Sequence, residues 1–211
     1  MTKKIMLITG ASSGIGKACV EKFKDEFEIV TVHRSPGATI RGTLVDWQFR
    51  ERVIHEVNPY IVINNAGMFG FTLHSLALNG VAAAHLMMGF HKKMESGYII
   101  TISSMRASSN GNKFSSYEDV AYNAGKAMAT SASLNLASMK TKPIGVVCIE
   151  PGSTATRMRP DLKDPEYPDN WNNNTYTPLM PTDIANTVDW VIRQPPWLTT
   201  PLIKLDTNSR L

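Results

Sequence analysis

The sequence predicts a doubly wound α/β domain, in which a mostly parallel sheet carries helices on both faces in three α/β/α layers. Three observations predict it. Strand-like and helix-like segments alternate along the 211 residues without a break. The strand-like segments are continuous apolar runs, as expected of strands buried on both faces. Hydrophobic residues make up 43% and charged residues 19%, a composition suited to one packed core and unlike that of a disordered chain. A single domain, 1–211, is expected at this length.

The elements follow in order. Lys4 to Thr9 is an apolar run and reads as the first strand. Gly14 to about Asp25 has helical spacing, with Ile15, Ala18, Cys19 and Phe23 on one face. Phe27 to Val32 reads as the second strand and Thr43 to Asp46 as a short third. Gln48 to Val57 reads as a helix and Tyr60 to Asn64 as a strand. A longer helix is expected from His74 to Met94, then a β-branched strand from Tyr98 to Ser103. After a polar segment come a helix from Asp119 to Met139 and a strand from Ile144 to Glu150. Thr182 to Arg193 and Leu202 to Leu205 complete the pattern as helix and strand. Arg157 to Pro181, with five prolines and four asparagines, is expected to be a long surface loop at a binding site, with Trp171 and Tyr176 available to pack inward.

Charge excludes little but points away from nucleic acid. The net charge of +4 comes from 22 basic and 18 acidic residues that are scattered rather than clustered. No run of about 18 apolar residues stands out, so no membrane span is expected. Lys3-Lys4 followed by Ile5 to Ile8 begins like a signal peptide, but the apolar run ends after four residues at Thr9-Gly10. Cys19 and Cys148 sit in apolar patterns without a neighbouring Cys or His at metal spacing. They read as buried thiols of a cytoplasmic protein, and no metal is expected.

Thr9-Gly10-Ala11-Ser12-Ser13-Gly14-Ile15-Gly16 joins the first strand to the first helix. Glycine at a strand exit permits a sharp turn and a close backbone approach to phosphate. The helix start beyond it offers free N–H groups to a pyrophosphate. With Lys17 the segment approaches the phosphate loop of NTPases. However, five residues separate Gly10 from Gly16, one too many, and Ala18 lacks the hydroxyl that would hold magnesium.

This loop resembles the cofactor fingerprint of the short-chain dehydrogenase/reductase family. Further motifs of that family follow in order: Asn64-Asn65-Ala66-Gly67, Ser103-Ser104, Tyr122-x-x-x-Lys126 and Pro151-Gly152. The resemblance implies a Rossmann-like fold and a hydride transfer between a nicotinamide dinucleotide and a carbonyl or alcohol. It implies cofactor contacts from Gly10, Ser12, Ser13, Gly14, Ile15, Gly16, Asn65, Ala66, Gly67, Pro151, Gly152, Thr154 and Thr156. Asp46 matches the family's acid for the adenine amino group, although it equally suits the N-cap of the helix ahead of Gln48. Val32-His33-Arg34-Ser35 ends the second strand without the acid that usually holds an NAD ribose. Arg34 suits a 2′-phosphate instead, so NADP(H) is preferred and NAD(H) is the alternative. Ser13 stands where NADP-dependent members often carry a second basic residue.

Tyrosine can donate the proton that a developing alkoxide needs, but its ordinary pKa near 10 is high for work at neutral pH. Tyr122 and Lys126 are four apart on the expected helix, and a cation there is expected to lower the tyrosine. By resemblance, Tyr122 is the general acid/base, which Lys126 tunes while also holding the nicotinamide ribose. Ser104, the second serine of its pair, holds the carbonyl oxygen, and Asn79 holds a water of the proton relay. Tyr117 has no lysine four residues on. An enoyl reductase would need its lysine six or seven residues after the tyrosine, where Met128 and Ala129 stand. Phe69, Phe71, Met105 and Arg106 follow strand ends and are expected around the substrate. Two departures from the family are expected to matter, namely a polar insert near Ser108 to Ser116 and a short C-terminal part. The resemblance also implies a homodimer, or a homotetramer, built on the helices from His74 and Asp119. A non-catalytic, dinucleotide-sensing binding protein on the same fold is the rival reading.

Overall fold

A computed structural model of the chain describes residues 2–70, 73–108, 116–156, 158, 178–197 and 200–206. Among these residues seven parallel strands form one sheet in the order β3-β2-β1-β4-β5-β6-β7. The strands are β1 (Ile5–Thr9), β2 (Glu28–His33), β3 (Ile40–Arg41), β4 (Ile61–Asn64), β5 (Gly97–Ile102), β6 (Ile144–Pro151) and β7 (Leu202–Leu205). The helices are α1 (Gly14–Phe23), α2 (Trp47–Glu56), α3 (Leu73–Leu76), α4 (Ala83–Lys93), α5 (Tyr117–Met139) and α6 (Pro181–Arg193). A π-helical turn, Ala77–Ala82, joins α3 to α4, and a 3-10 turn, Met105–Ser108, follows β5.

The apolar strand runs have a direct cause. Met6 and Ile8 of β1 pack in one core with Cys19 and Phe23 of α1 and Ile184 and Val188 of α6. Leu7, between them, packs in the opposite core with Phe49 and Val53 of α2 and Leu86 and Phe90 of α4. Every second residue of a strand faces the other layer, so each residue of a doubly covered strand must be apolar. The three layers and the doubly wound order are as the sequence predicts. β1 pairs with β2 on one side and β4 on the other, so successive crossovers run in opposite directions from it. In such sheets the crevice at the C-terminal ends of the strands, at this reversal, is the ligand position.

Two local expectations are corrected. The third strand is Ile40–Arg41, in register with Val32 and His33, and Thr43 to Asp46 is a turn. The turn wins because its polar groups start α2: Asp46 N donates to Thr43 O at 3.2 Å, and Asp46 Oδ1 accepts from Gln48 N at 2.9 Å and Phe49 N at 3.4 Å. The helix running Leu73–Lys93 is also long and apolar enough, by length and composition, to cross a membrane, against the expectation of no such run. Here Leu86, Met87 and Phe90 are buried in the sheet-facing core, which accounts for that apolarity. Phe71, Trp171, Tyr176 and most of the Arg157–Pro181 and Ser108–Ser116 segments lie outside the described residues.

Candidate active site

At the end of β1, Thr9 is buried and its hydroxyl accepts from Asn65 N and Ala66 N, each at 2.9 Å. Asn65 Nδ2 in turn donates to Thr9 O at 3.0 Å and Gly10 O at 3.2 Å. The glycine loop after β1 is therefore laced to the segment after β4, across the reversal of strand order. The closeness demands glycine at two positions. At Gly10, with φ +67°, a Cβ would stand 2.8 Å from Ala66 Cα, and at Gly16 it would overlap the carbonyl oxygen of Gly10. Ser13 stands at the N-cap of α1 without a side-chain cap, so the first-turn amides there are left for a ligand or solvent. Ser12, Ser13, Gly14 and Thr156 line one open cleft, with Thr156 Cγ2 3.0 Å from where a Cβ on Gly14 would lie. A cradle of glycines, an uncapped helix start and a threonine across the cleft fit a dinucleotide's pyrophosphate.

On the far side of β6, Gly152 N donates to Leu205 O at 2.7 Å, which ties the Pro151-Gly152 turn to β7. Thr154 Oγ1 bonds Gly152 O at 3.1 Å, so this hydroxyl shapes its own turn. Arg34 is exposed just beyond β2, and Asp46 is exposed as the cap of α2. Sequence reasoning missed Arg41, whose Nε donates to Arg34 O at 3.0 Å. Two arginines therefore share the corner beyond β2. The signal is an arginine seven residues after Arg34, closing a strand that begins three residues before its expected start.

Asn79 lies in the π turn and is buried. Its Oδ1 accepts from Met68 N at 3.1 Å, and its Nδ2 donates to Met68 O at 2.7 Å and Ser75 Oγ at 3.2 Å. The side chain thereby clamps the segment after β4 and makes no bond to Tyr122 or Lys126 among the described residues. A π turn is a common mark of functional helix segments, because it shifts the hydrogen-bond ladder locally.

Ser104, Tyr122 and Lys126 come together, and all three are buried. The Tyr122 hydroxyl is hydrogen-bonded to Ser104, and Ser104 Oγ also accepts from Arg106 N at 3.2 Å. Phe69 flanks the tyrosine with ring centroids 5.7 Å apart. Ser103 has a different task, donating to Lys126 O at 3.1 Å. Lys126 Nζ donates to Ile102 O at 2.8 Å and lies 5.8 Å from the Tyr122 ring centroid. Arg106 forms an ion pair with buried Asp119, near the start of α5. Met105 Sδ lies 3.5 Å from the position of a Cβ on Gly152, at the junction of the two strand ends.

The electrostatics correct one expectation. Burial raises Tyr122 above its ordinary value; the Ser104 hydrogen bond and then Arg106 oppose that rise, and Lys126 is not among its causes. The ammonium of Lys126 is turned to Ile102 O, and its own burial pulls it down to about 8. Desolvation thus moves both groups toward their neutral forms. The result is a tyrosine that holds its proton and a lysine that exchanges one close to neutral pH.

The profile of the family described as short chain dehydrogenase matches residues 53–166, more than half of the chain. That segment includes Asn79, Ser104, Tyr122, Lys126 and Thr156, while the glycine loop lies ahead of it. Comparison with curated proteins gives no match. Among solved structures, a short chain dehydrogenase from Burkholderia cenocepacia in complex with NADP superposes with TM-score 0.81 at 20% identity, over 97% of this chain and 96% of that one. A 4-hydroxyisoleucine dehydrogenase mutant complexed with NADH and succinate gives 0.78 at 21%, over 96% and 97%. The closed form of serine dehydrogenase complexed with NADP+ gives 0.77 at 20%, over 95% and 94%. These likenesses establish the fold.

Proposed function

The chain belongs to the short-chain dehydrogenase family of oxidoreductases, and from that premise we propose that it is an NADP(H)-dependent enzyme that moves a hydride between the nicotinamide and a carbonyl or alcohol substrate. The observation that carries this reading is the joint burial of Ser104, Tyr122 and Lys126, with the tyrosine hydroxyl on the serine. The cofactor would be held by the glycine loop from Gly10 to Gly16, by Asn65, Ala66 and Gly67, and by Thr156. When bound, it supplies or accepts the hydride. Ser104 holds the substrate oxygen by a hydrogen bond that strengthens as negative charge develops there. Tyr122 O–H gives its proton to that oxygen in reduction and takes it back in oxidation. Lys126 keeps two ammonium donors beyond the one on Ile102 O, enough to hold ribose hydroxyls beside the tyrosine. Asn79 fixes the backbone at Met68, next to the segment Asn65 to Gly67 that would hold the cofactor.

The test is a panel of aldehydes, ketones and diketones with NADPH, followed by the loss of NADPH absorbance. Turnover of any of them supports the enzyme. Tight NADPH binding with no turnover across the panel would favour the dinucleotide-sensing protein instead.

Cofactor choice has its own expected result. With Arg34 and Arg41 at one corner, NADPH binds more tightly than NADH. Removing a hydrogen bond to a charged phosphate costs about 1.5–3 kcal/mol, so Arg34→Ala weakens NADPH about 10- to 150-fold and leaves NADH nearly unchanged. Arg34→Ala with Arg41→Ala abolishes the preference. Equal affinities of the wild-type protein for the two cofactors, by titration, would reject the NADP(H) assignment.

The assembly we propose is a homodimer through α4 and α5. Val81, in the π turn ahead of α4, and Met88 on α4 are half-exposed, as are Val120 and Met128 on α5. Together they form the apolar stripe that an isologous helix pairing buries. A cytoplasmic location goes with this reading. Light scattering at micromolar concentration is expected to give twice the 23.3 kDa of one chain, and a monomer mass would reject the dimer.

A further inference from the structure

Glu150, at the end of β6, is completely buried, and the reaction described above makes no use of it. Its two oxygens serve different elements. Oε1 accepts from Thr130 Oγ1 at 2.9 Å. Thr130 lies one helical turn beyond Lys126 on α5, and its hydroxyl is 2.8 Å from Ser103 Oγ, the group that donates to Lys126 O. Oε2 accepts from Ser108 Oγ at 2.9 Å, at the end of the Met105–Ser108 turn. Lys204 Nζ, on β7, donates to the same Ser108 hydroxyl at 2.9 Å and lies 3.6 Å from Oε2. One carboxyl group thus joins β6, α5, β7 and the turn that leads out of Ser104.

We propose that Glu150 is a positioning residue for the reaction, clipping α5 and the Met105–Ser108 turn to the end of β6 and so setting Tyr122 and Lys126 against Ser104. Two of the reacting groups ride on α5, while the third stands where β5 runs into the turn. Apolar packing holds these elements together but is not directional, and it tolerates small slides along the helix axis. Directional hydrogen bonds fix the register, and an error of about 1 Å at a reacting group can cost on the order of 10²-fold in rate. Tyr122, Lys126 and Thr130 are spaced four apart on one face of α5, so a clip at Thr130 is transmitted along a rigid helix to the tyrosine. The Ser108 arm holds the other side. It pins the far end of a turn whose near end bonds Ser104 through Arg106 N and whose Arg106 pairs with Asp119.

The inference rests on Tyr122 being the proton donor, and the experiment separates the two claims. Thr130→Val keeps the β-branched shape and removes the hydroxyl. With the carbonyl of the panel that the wild type reduces fastest, kcat is expected to fall at least about tenfold, with the NADPH Kd unchanged within about twofold and with recovery in Thr130→Ser. Ser108→Ala is expected to raise the KM for that carbonyl more than it lowers kcat, because the turn carries Met105 and Arg106. Glu150→Gln combines both effects. A reading that needs no substrate is the ultraviolet difference titration of Tyr122, with Tyr122→Phe subtracted. A loosened α5 admits water to a hydroxyl that burial holds high, so Thr130→Val is expected to lower the tyrosine midpoint by at least about half a unit. Activity in Tyr122→Phe would reject the proton donor, and the titration would still decide the clip. If kcat stays within about twofold in Thr130→Val and Glu150→Gln, or the Tyr122 midpoint does not move, or every loss only tracks the loss of Tm, Glu150 is structural and the proposal is overturned.

Discussion

Tyr122→Phe is expected to lose about 10²–10⁴-fold in kcat with the NADPH Kd changed by no more than about twofold. Phenylalanine keeps the ring that packs against Phe69 and removes only the hydroxyl bonded to Ser104. Ser104 then remains to hold the substrate oxygen, but no group is left to give it a proton. Burial raises the tyrosine above its ordinary value, so the protonated form persists through neutral pH. In wild-type protein, then, reduction loses no rate to ionisation of Tyr122 across neutral pH, and it falls only in the alkaline range as the proton is lost. Oxidation, which needs the tyrosinate, rises over the same range. A pH–rate profile in both directions checks this. A fall in the reduction rate between pH 6 and 8 that Tyr122→Phe abolished would place the tyrosine well below its ordinary value, against the burial argument.

Much of this was legible in the residues because doubly covered strands have no polar face to hide. β1, β5 and β6 announce themselves as unbroken apolar runs, and the segments that follow them carry the glycines, serines and Pro-Gly of the site. Tyr122 and Lys126 could be placed together because helical spacing is a local property. What was not legible depended on three-dimensional direction. β3 has two residues at a sheet edge, too few to leave a pattern, and Leu44 was apolar for packing beside α2 rather than for a strand. The π turn around Asn79 differs from an α-helix by one hydrogen-bond step, which composition does not record. The sign of the Tyr122 shift turned on where Lys126 points, and a spacing of four says only that two side chains share a face. Glu150 did leave a signal, as an acid closing the otherwise apolar Ile144 to Ile149 run. Its partners, however, lie 20 residues away at Thr130 and 42 at Ser108.

Lys126→Met is expected to abolish turnover, by at least about 10²-fold, and to remove a pH dependence of stability. The ammonium is buried, with Ile102 O as its hydrogen-bond acceptor among the described residues, and burial pulls it from 10.5 to about 8. In the unfolded chain the same group titrates near 10.4. Below pH 8 both states hold the proton, and the folded protein bears the full cost of a buried charge, on the order of 3 kcal/mol. Between pH 8 and about 10.5 the unfolded chain binds more protons than the folded one, so the stability contributed at Lys126 rises with pH. Methionine keeps an unbranched chain of similar length and carries no charge, although it leaves Ile102 O without a donor at a cost of about 1–3 kcal/mol. These two costs nearly offset each other at neutral pH, so the cofactor-free variant is expected to be about as stable as wild type there while being inactive. Raising the pH from 7 to 10 then stabilises wild type relative to the variant by about 2–3 kcal/mol in urea unfolding. Other titrating groups, Tyr122 among them, are common to both proteins and largely cancel in the difference. A difference that stayed flat across that range would mean that Lys126 is not held against its own charge. The lysine would then be an ordinary cation, and the neutral-pH proton exchange assigned to it would fail.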